Sequence, residues 1–88
     1  MKKTLLFFML PVCPHCKNAM RWMEELRAEN SAYADIPVVT VNEREQPQLA
    51  KQHDYNLVPT YYLDKEKLHE GVASKEKIQV VFDRYLAK

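Results

Sequence analysis

Cys13 and Cys16 are the chain's two cysteines, and two residues lie between them. So short a loop removes little entropy from the unfolded chain, and a structural staple is not expected. The pair reads instead as chemistry, either thiol redox or metal ligation. Redox exchange needs one sulfur to attack a substrate disulfide and a second to resolve the mixed disulfide. Cys13-Pro14-His15-Cys16 offers both. Pro14 suits the first position of a helix, where a backbone N–H would have no intrahelical acceptor. Cys13 then sits at a helix N-terminus, where free N–H groups and the helix dipole favour a thiolate. Cys16 follows one turn later on the same face, within reach of Cys13. Cys13 is the expected nucleophile and Cys16 the resolving thiol. His15, when protonated, brings positive charge beside Cys13 and is expected to tune it. A better stabilised thiolate favours the reduced form and makes the disulfide a stronger oxidant.

A helix start of this kind needs a strand to deliver the chain to it. Lys2-Lys3 followed by the apolar run to Leu10 looks like the opening of a secretory signal, and Leu10-Pro11-Val12-Cys13 hints at a lipoprotein cleavage site. The run is short for a signal, and Pro11-Val12 lacks the small residues of a cleavage site. A fully buried parallel strand also reads as a short continuous apolar run, so residues 3–9 are expected to form the first strand.

Past the cysteines, Cys16, Ala19, Met20, Met23 and Leu26 fall at helical spacing and form the expected buried stripe. That helix should fade near Asn30-Ser31. Ile36 to Val41 is rich in β-branched residues and predicts a second strand. Pro37 makes it an edge strand, or one that begins after the proline. Pro47 opens a second helix holding Leu49, Ala50 and His53, with Asn56 expected to end it in the left-handed region. Thr60 to Leu63 and Lys67 to Glu70 predict a hairpin around Asp64-Lys65-Glu66. Ser74 is the expected cap of a last helix with Ile78, Val81, Phe82, Tyr85 and Leu86 on one face. The order is β-α-β-α-β-β-α. It predicts an α/β fold, a four-stranded mixed sheet flanked by three helices, in one domain over residues 1–88.

At 88 residues there is room for one domain. A net charge of +1 gives no field toward nucleic acid or membrane, and neither is an expected partner. No stretch is long enough to span a bilayer. Metal ligation would recruit His15, His53 or His69 to the cysteines. Zinc sites want four ligands in closed geometry, and His53 and His69 are expected on distant elements as surface residues. No metal is therefore expected. Trp22 and the tyrosines read as packing or surface residues, and Trp22, on the cysteine helix, as a reporter of redox state. Arg44 and Glu45 read as a solvated loop.

Phe8 to Cys16, Pro47-Gln48-Leu49-Ala50-Lys51 and Val58-Pro59-Thr60 follow one another in the order and spacing of a known family. On these residues the chain resembles the thioredoxin superfamily over essentially its whole length, and its size resembles the glutaredoxin-like branch. The resemblance implies a thioredoxin fold and a cytoplasmic, monomeric thiol–disulfide oxidoreductase. Its substrate would be a disulfide-containing protein or small molecule. A reductase or glutathione would be the electron donor, and no other cofactor is implied. The resemblance further implies a cis Val58–Pro59 bond and Pro59 packed beside the sulfurs. It implies substrate contacts at Val12, Val58, Pro59 and Thr60, with the Val58 backbone pairing to the substrate like an added strand. The alternative it leaves is a metal-binding or iron–sulfur scaffold on the same cysteines.

The departures from the family are specific. Thioredoxins proper carry Trp-Cys-Gly-Pro-Cys and a buried aspartate six residues before the first cysteine. Here Val12 precedes Cys13 and Phe7 holds the aspartate position. Water or another group must then take the proton of Cys16. Typical glutaredoxins carry Cys-Pro-Tyr-Cys, a Gly-Gly turn and a nearby aspartate that help hold glutathione. Glu70-Gly71-Val72-Ala73-Ser74 has one glycine and no aspartate there. The Cys-Pro-His-Cys tetrapeptide resembles periplasmic disulfide oxidases, but their large helical insertion has no room here.

Overall fold

The computed structural model describes residues 3–88. Four strands form one sheet in the order β2-β1-β3-β4. Strand β1 is Leu5–Met9, β2 is Val38–Asn42, β3 is Thr60–Leu63 and β4 is Glu66–Glu70. β1 runs parallel to β2 and antiparallel to β3, and β3 pairs antiparallel with β4. The helices are α1 (Pro14–Glu29), α2 (Ser31–Ala34), α3 (Pro47–Lys51) and α4 (Lys75–Leu86).

The apolar run at the N-terminus is a strand because both of its faces are covered. Leu5, Phe7 and Met9 join the cluster that holds Cys16, Ala19, Met23 and Leu26 of α1 and Ile78, Val81 and Phe82 of α4. Phe8 faces the other way, with Val41, Tyr62 and the partly buried Leu49 and Ala50. A central strand buried on both sides has no polar alternation to show. It starts at Leu5, two residues later than expected, and Met1 and Lys2 of the signal-like start lie outside the described residues.

The three expected helices are joined by a single turn, α2. Asn30 builds it: its Oδ1 accepts the Ala32 N–H at 2.9 Å, and Arg27 donates to the Ala34 carbonyl at 2.9 Å. β2 is an edge strand that begins after Pro37, whose carbonyl accepts the Leu5 N–H at 2.9 Å. The Ser74 hydroxyl accepts the Lys77 N–H at 3.1 Å and caps α4.

Several local expectations change. Met20 is exposed, because it turns off the buried stripe of α1 toward the β2 edge. α3 stops at Lys51, so His53 lies beyond it. Among the described residues the non-glycine in the left-handed region is Asp64 in the hairpin turn, not Asn56. Asn56 does not need that conformation, because α3 ends well before it at Lys51, and its N–H goes to Glu70 at 2.6 Å. The histidines are not free surface residues either. His53 packs against Phe8 and Tyr62, each with ring centroids at 4.8 Å, and contacts the Leu49 carbonyl at 3.0 Å. His69 contacts the Gly71 carbonyl at 3.0 Å.

Candidate active site

The turn after β1 delivers Cys13 to the N-cap of α1. Its N–H bonds the Leu10 carbonyl at 3.1 Å, and its own carbonyl accepts from Cys16 and Lys17 at 3.1 and 3.2 Å. No side chain caps this helix start. The free N–H groups are left for the Cys13 sulfur or a bound anion. Cys13 is half-buried and Cys16 fully buried, and both are free thiols. Burial pushes the Cys16 thiol up to about 12. The Cys13 thiol and the Glu43 carboxylate push in the same direction, while a backbone hydrogen bond at Leu10 opposes them. The two sulfurs are thus unequal by position. Cys16 stays a thiol at neutral pH, and Cys13 is the one solvent can reach.

Opposite Cys13 lies the segment before β3. The Cys13 thiol points at the Val58 carbonyl oxygen, 3.9 Å away, and the Val58–Pro59 bond is cis. Pro59 is fully buried, and its carbonyl accepts the Gly71 N–H at 2.9 Å. Thr60 is also buried, and its hydroxyl donates to the Leu57 carbonyl. Thr60 therefore ties the start of β3 back to the loop at Leu57. Val12 is 66% exposed beside Cys13, and Leu57 and Val72 are each 60% exposed. Leu57 lies against Gly71 and precedes Val58, and Val72 follows Gly71, so exposed apolar side chains flank the segment that faces Cys13. Pro14 and His15 are exposed on the first turn of α1.

Two acidic residues matter that spacing alone does not reveal. Glu70 accepts the N–H groups of Asn56 and Leu57 at 2.6 and 2.9 Å and pairs with Lys67 at 2.7 Å. Lys67 first, and then these two amides, hold its carboxyl down near 2. Glu70 thereby fixes the segment that carries Val58. The register pairs Glu70 with Thr60, right after Pro59, and a correct hairpin alignment would have exposed this role. Glu43, the residue after β2, is the other: its N–H extends the pairing with β1 at Met9, and it lines a cleft with His53 and Tyr55. Phe7, which holds the position of the buried aspartate of thioredoxins proper, is fully buried and stacks on Tyr61 at 5.1 Å.

Among the described residues no group of three or more His, Cys, Asp or Glu is placed to hold a metal ion. The metal-binding alternative thus finds no support. No described helix is long and apolar enough to cross a membrane.

A sheet ordered in this way, with a dithiol at the start of the helix after its first strand and a cis proline facing it, defines a thioredoxin-fold thiol redox protein. Residues 1–84 match the sequence profile of the family described as Thioredoxin. A thioredoxin of Methanocaldococcus jannaschii is 31% identical over 71 residues, which is 81% of either chain. The solved thioredoxin of Malassezia sympodialis superposes with a TM-score of 0.73 at 22% identity, over 96% of this chain and 75% of that one. For a thioredoxin of Halobacterium salinarum the TM-score is 0.71 at 22% identity, over 96% and 74%. The chain belongs to the thioredoxin family. Thiol–disulfide oxidoreduction is the chemistry of that family, with disulfide substrates and a reductase as partner.

Proposed function

We propose that Cys13 and Cys16 form the working dithiol and that it reduces disulfides in protein substrates. The observation that carries this is the inequality of the two sulfurs, one at the open helix N-terminus and one buried with its thiol pushed up to about 12. The Cys13 thiolate attacks a substrate sulfur. The substrate disulfide breaks, its far sulfur leaves as a thiolate, and a mixed disulfide forms on Cys13. Cys16 then attacks Cys13, the second substrate sulfur leaves, and the Cys13–Cys16 disulfide remains. The substrate gains two electrons and the dithiol loses them. His15, one residue past Pro14, acts on the Cys13 thiolate by its charge.

Protein substrates are favoured by the apolar rim of Val12, Leu57 and Val72. The Val58 backbone beside Cys13 offers a docking edge for an extended chain. Glutathione is disfavoured as donor because the Glu70 carboxylate is already spent on Asn56 and Leu57 and brings negative charge to the region expected to hold the tripeptide. A protein reductase is the donor this surface suits. A monomer in a reducing, cytoplasmic setting completes the reading. Insulin reduction tests it, with thioredoxin reductase and then glutathione as the recycling system. Turnover driven by the reductase and lost in Cys13→Ser is expected. Turnover by Cys13→Ser would overturn the assignment, and turnover driven only by glutathione would reverse the donor.

A further inference from the structure

The sheet has two edges, and they are finished differently. An edge strand offers unpaired N–H and C=O groups to any other strand, and proteins usually blunt it with charge, a bulge or a covering group. β4 is blunted in these ways. Every position of it but Leu68 is ionisable, its pairing with β3 shifts register between Tyr61 and Tyr62, and Arg84 donates to the Leu68 carbonyl at 3.5 Å. β2 has neither charge nor bulge. It reads Val-Val-Thr-Val-Asn, pairs with β1 in unbroken register, and leaves Val39 47% exposed. We infer that β2 pairs with β2 of a second copy of this chain, antiparallel about Thr40.

The outward groups of β2 follow from its two ends. The Pro37 carbonyl accepts from Leu5 and the Glu43 N–H donates to Met9, so both residues turn these groups toward β1. Backbone groups alternate sides along a strand, so Val39 and Val41 also face β1, and Val38, Thr40 and Asn42 face outward. The Asn42 carbonyl is used within the chain, by the N–H groups of Glu45 and Gln46 at 3.1 and 2.9 Å. The rest matches a twofold pair. The two Thr40 residues exchange N–H and C=O, and each Asn42 N–H donates to the Val38 carbonyl of the other copy. The edge is its own complement, as an isologous contact requires.

The side chains agree with that register. Val39 shares a face with the buried Val41 and comes opposite Val41 of the second copy, in the closer kind of cross-strand pair. On the other face, Val38 and Thr40 line a groove of about 260 Å³ with Met20, Met23, Glu24 and Arg27 of α1. α1 links the parallel strands β1 and β2 and so runs against them. The twofold therefore sets the two α1 helices antiparallel on one face of the joint sheet, with the exposed Met20 side chains near the axis. Lys17, Met20 and Glu24 lie at i, i+3 and i+7, on one stripe. Lys17 and Glu24 are exposed, and among the described residues neither enters an ion pair. In the pair, Lys17 of each copy comes opposite Glu24 of the other. That charge match is what a second copy offers and an unrelated strand does not.

The substrate gap lies away from this edge. Cys13 faces Val58 just before β3, and β3 is on the far side of β1 from β2. Each copy therefore keeps a complete dithiol, and the single chain remains the reacting unit. A contact of one short strand and one helix stripe is small, so the pair is weak, and dilution to assay concentrations returns the monomer.

The test is sedimentation equilibrium of the reduced full chain, with a phosphine reductant present so that no intermolecular disulfide forms. The average mass should be that of one chain near about 10 µM and rise toward that of two by about 1 mM. Thr40→Pro removes the outward N–H at the centre of the pair, and an edge strand tolerates proline where its N–H faces solvent. It should weaken pairing at least about tenfold, while far-UV circular dichroism and the rate with dithiobis(nitrobenzoate) stay as in the wild type. Val39→Lys, which leaves the backbone groups in place, should weaken it as much. Glu24→Lys should weaken pairing about threefold, and adding Lys17→Glu to it should restore the wild-type constant. A chain that stays single up to about 1 mM would overturn the inference. So would pairing unmoved by Thr40→Pro and Val39→Lys, or a charge swap that fails to restore it.

Discussion

The Cys13 thiol faces the Val58 carbonyl oxygen at 3.9 Å, across a gap between two elements far apart in sequence. One side of the gap is the open N-terminus of α1 and the other is the backbone leading into β3. An incoming substrate sulfur must enter between them. The reactivity of Cys13 and the rigidity of the Val58 segment thus bear on the same event.

The first consequence is selective alkylation. Cys16 is fully buried and its thiol is pushed up to about 12, so its thiolate is scarce at neutral pH. Iodoacetamide at pH 7 should modify Cys13 at least about a hundredfold faster than Cys16. Peptide mapping by mass spectrometry reads the ratio. Equal rates would contradict the unequal pair.

Glu70 should make the Val58 segment sensitive to acid. Its carboxyl is held near 2, below the ordinary carboxylate value, by Lys67 and the Asn56 and Leu57 amides. A group whose folded value is depressed stabilises fully above its unfolded value, near 4.5, and that contribution is lost as pH falls toward 2. Denaturant unfolding of wild type and Glu70→Gln should differ at pH 7 and converge between about pH 4.5 and 2. Insulin reduction by Glu70→Gln should fall roughly three- to tenfold, because the loop facing Cys13 loses its anchor.

Gly71 holds the same segment by shape. Its φ is +95°, and an added Cβ would lie 3.3 Å from Leu57 Cδ1. Gly71→Ala should destabilise the protein by about 1–2 kcal/mol, seen as a lower unfolding midpoint. A neutral substitution would show that the loop relaxes freely.

His15→Ala tests the proposed tuning. Loss of a cation near Cys13 should make the Cys13–Cys16 couple more reducing by on the order of 10–20 mV. An unchanged potential would remove the role.

What was legible in the sequence is what rests on local rules. The apolar run of β1, Pro14 at the start of α1, Ser74 as a cap and the β3–β4 hairpin each follow from neighbouring residues, and each is found. Val58-Pro59-Thr60 was legible by resemblance. The rest depends on contacts set by the sheet. Glu70 reaches Asn56 and Leu57 across the hairpin, 14 and 13 residues back, and no local pattern marks it. Glu43 reaches the Met9 carbonyl only because β2 lies beside β1 in one register. His53 looked like a surface residue until Phe8 and Tyr62 closed around it. Asn56 looked like a helix stop, yet its backbone is held by a side chain from another strand.

The dithiol assignment is tested most directly by trapping its intermediate. Cys16→Ser lacks the resolving thiol, so reaction with an oxidised protein substrate should leave that substrate bound through Cys13 in a stable mixed disulfide. Mass spectrometry after tryptic digestion should find the linkage at Cys13, and dithiothreitol should release it. The wild type under the same conditions should yield free substrate thiols and a Cys13–Cys16 disulfide. No trapped adduct on Cys13, or release of substrate by Cys16→Ser as fast as by the wild type, would contradict the assignment.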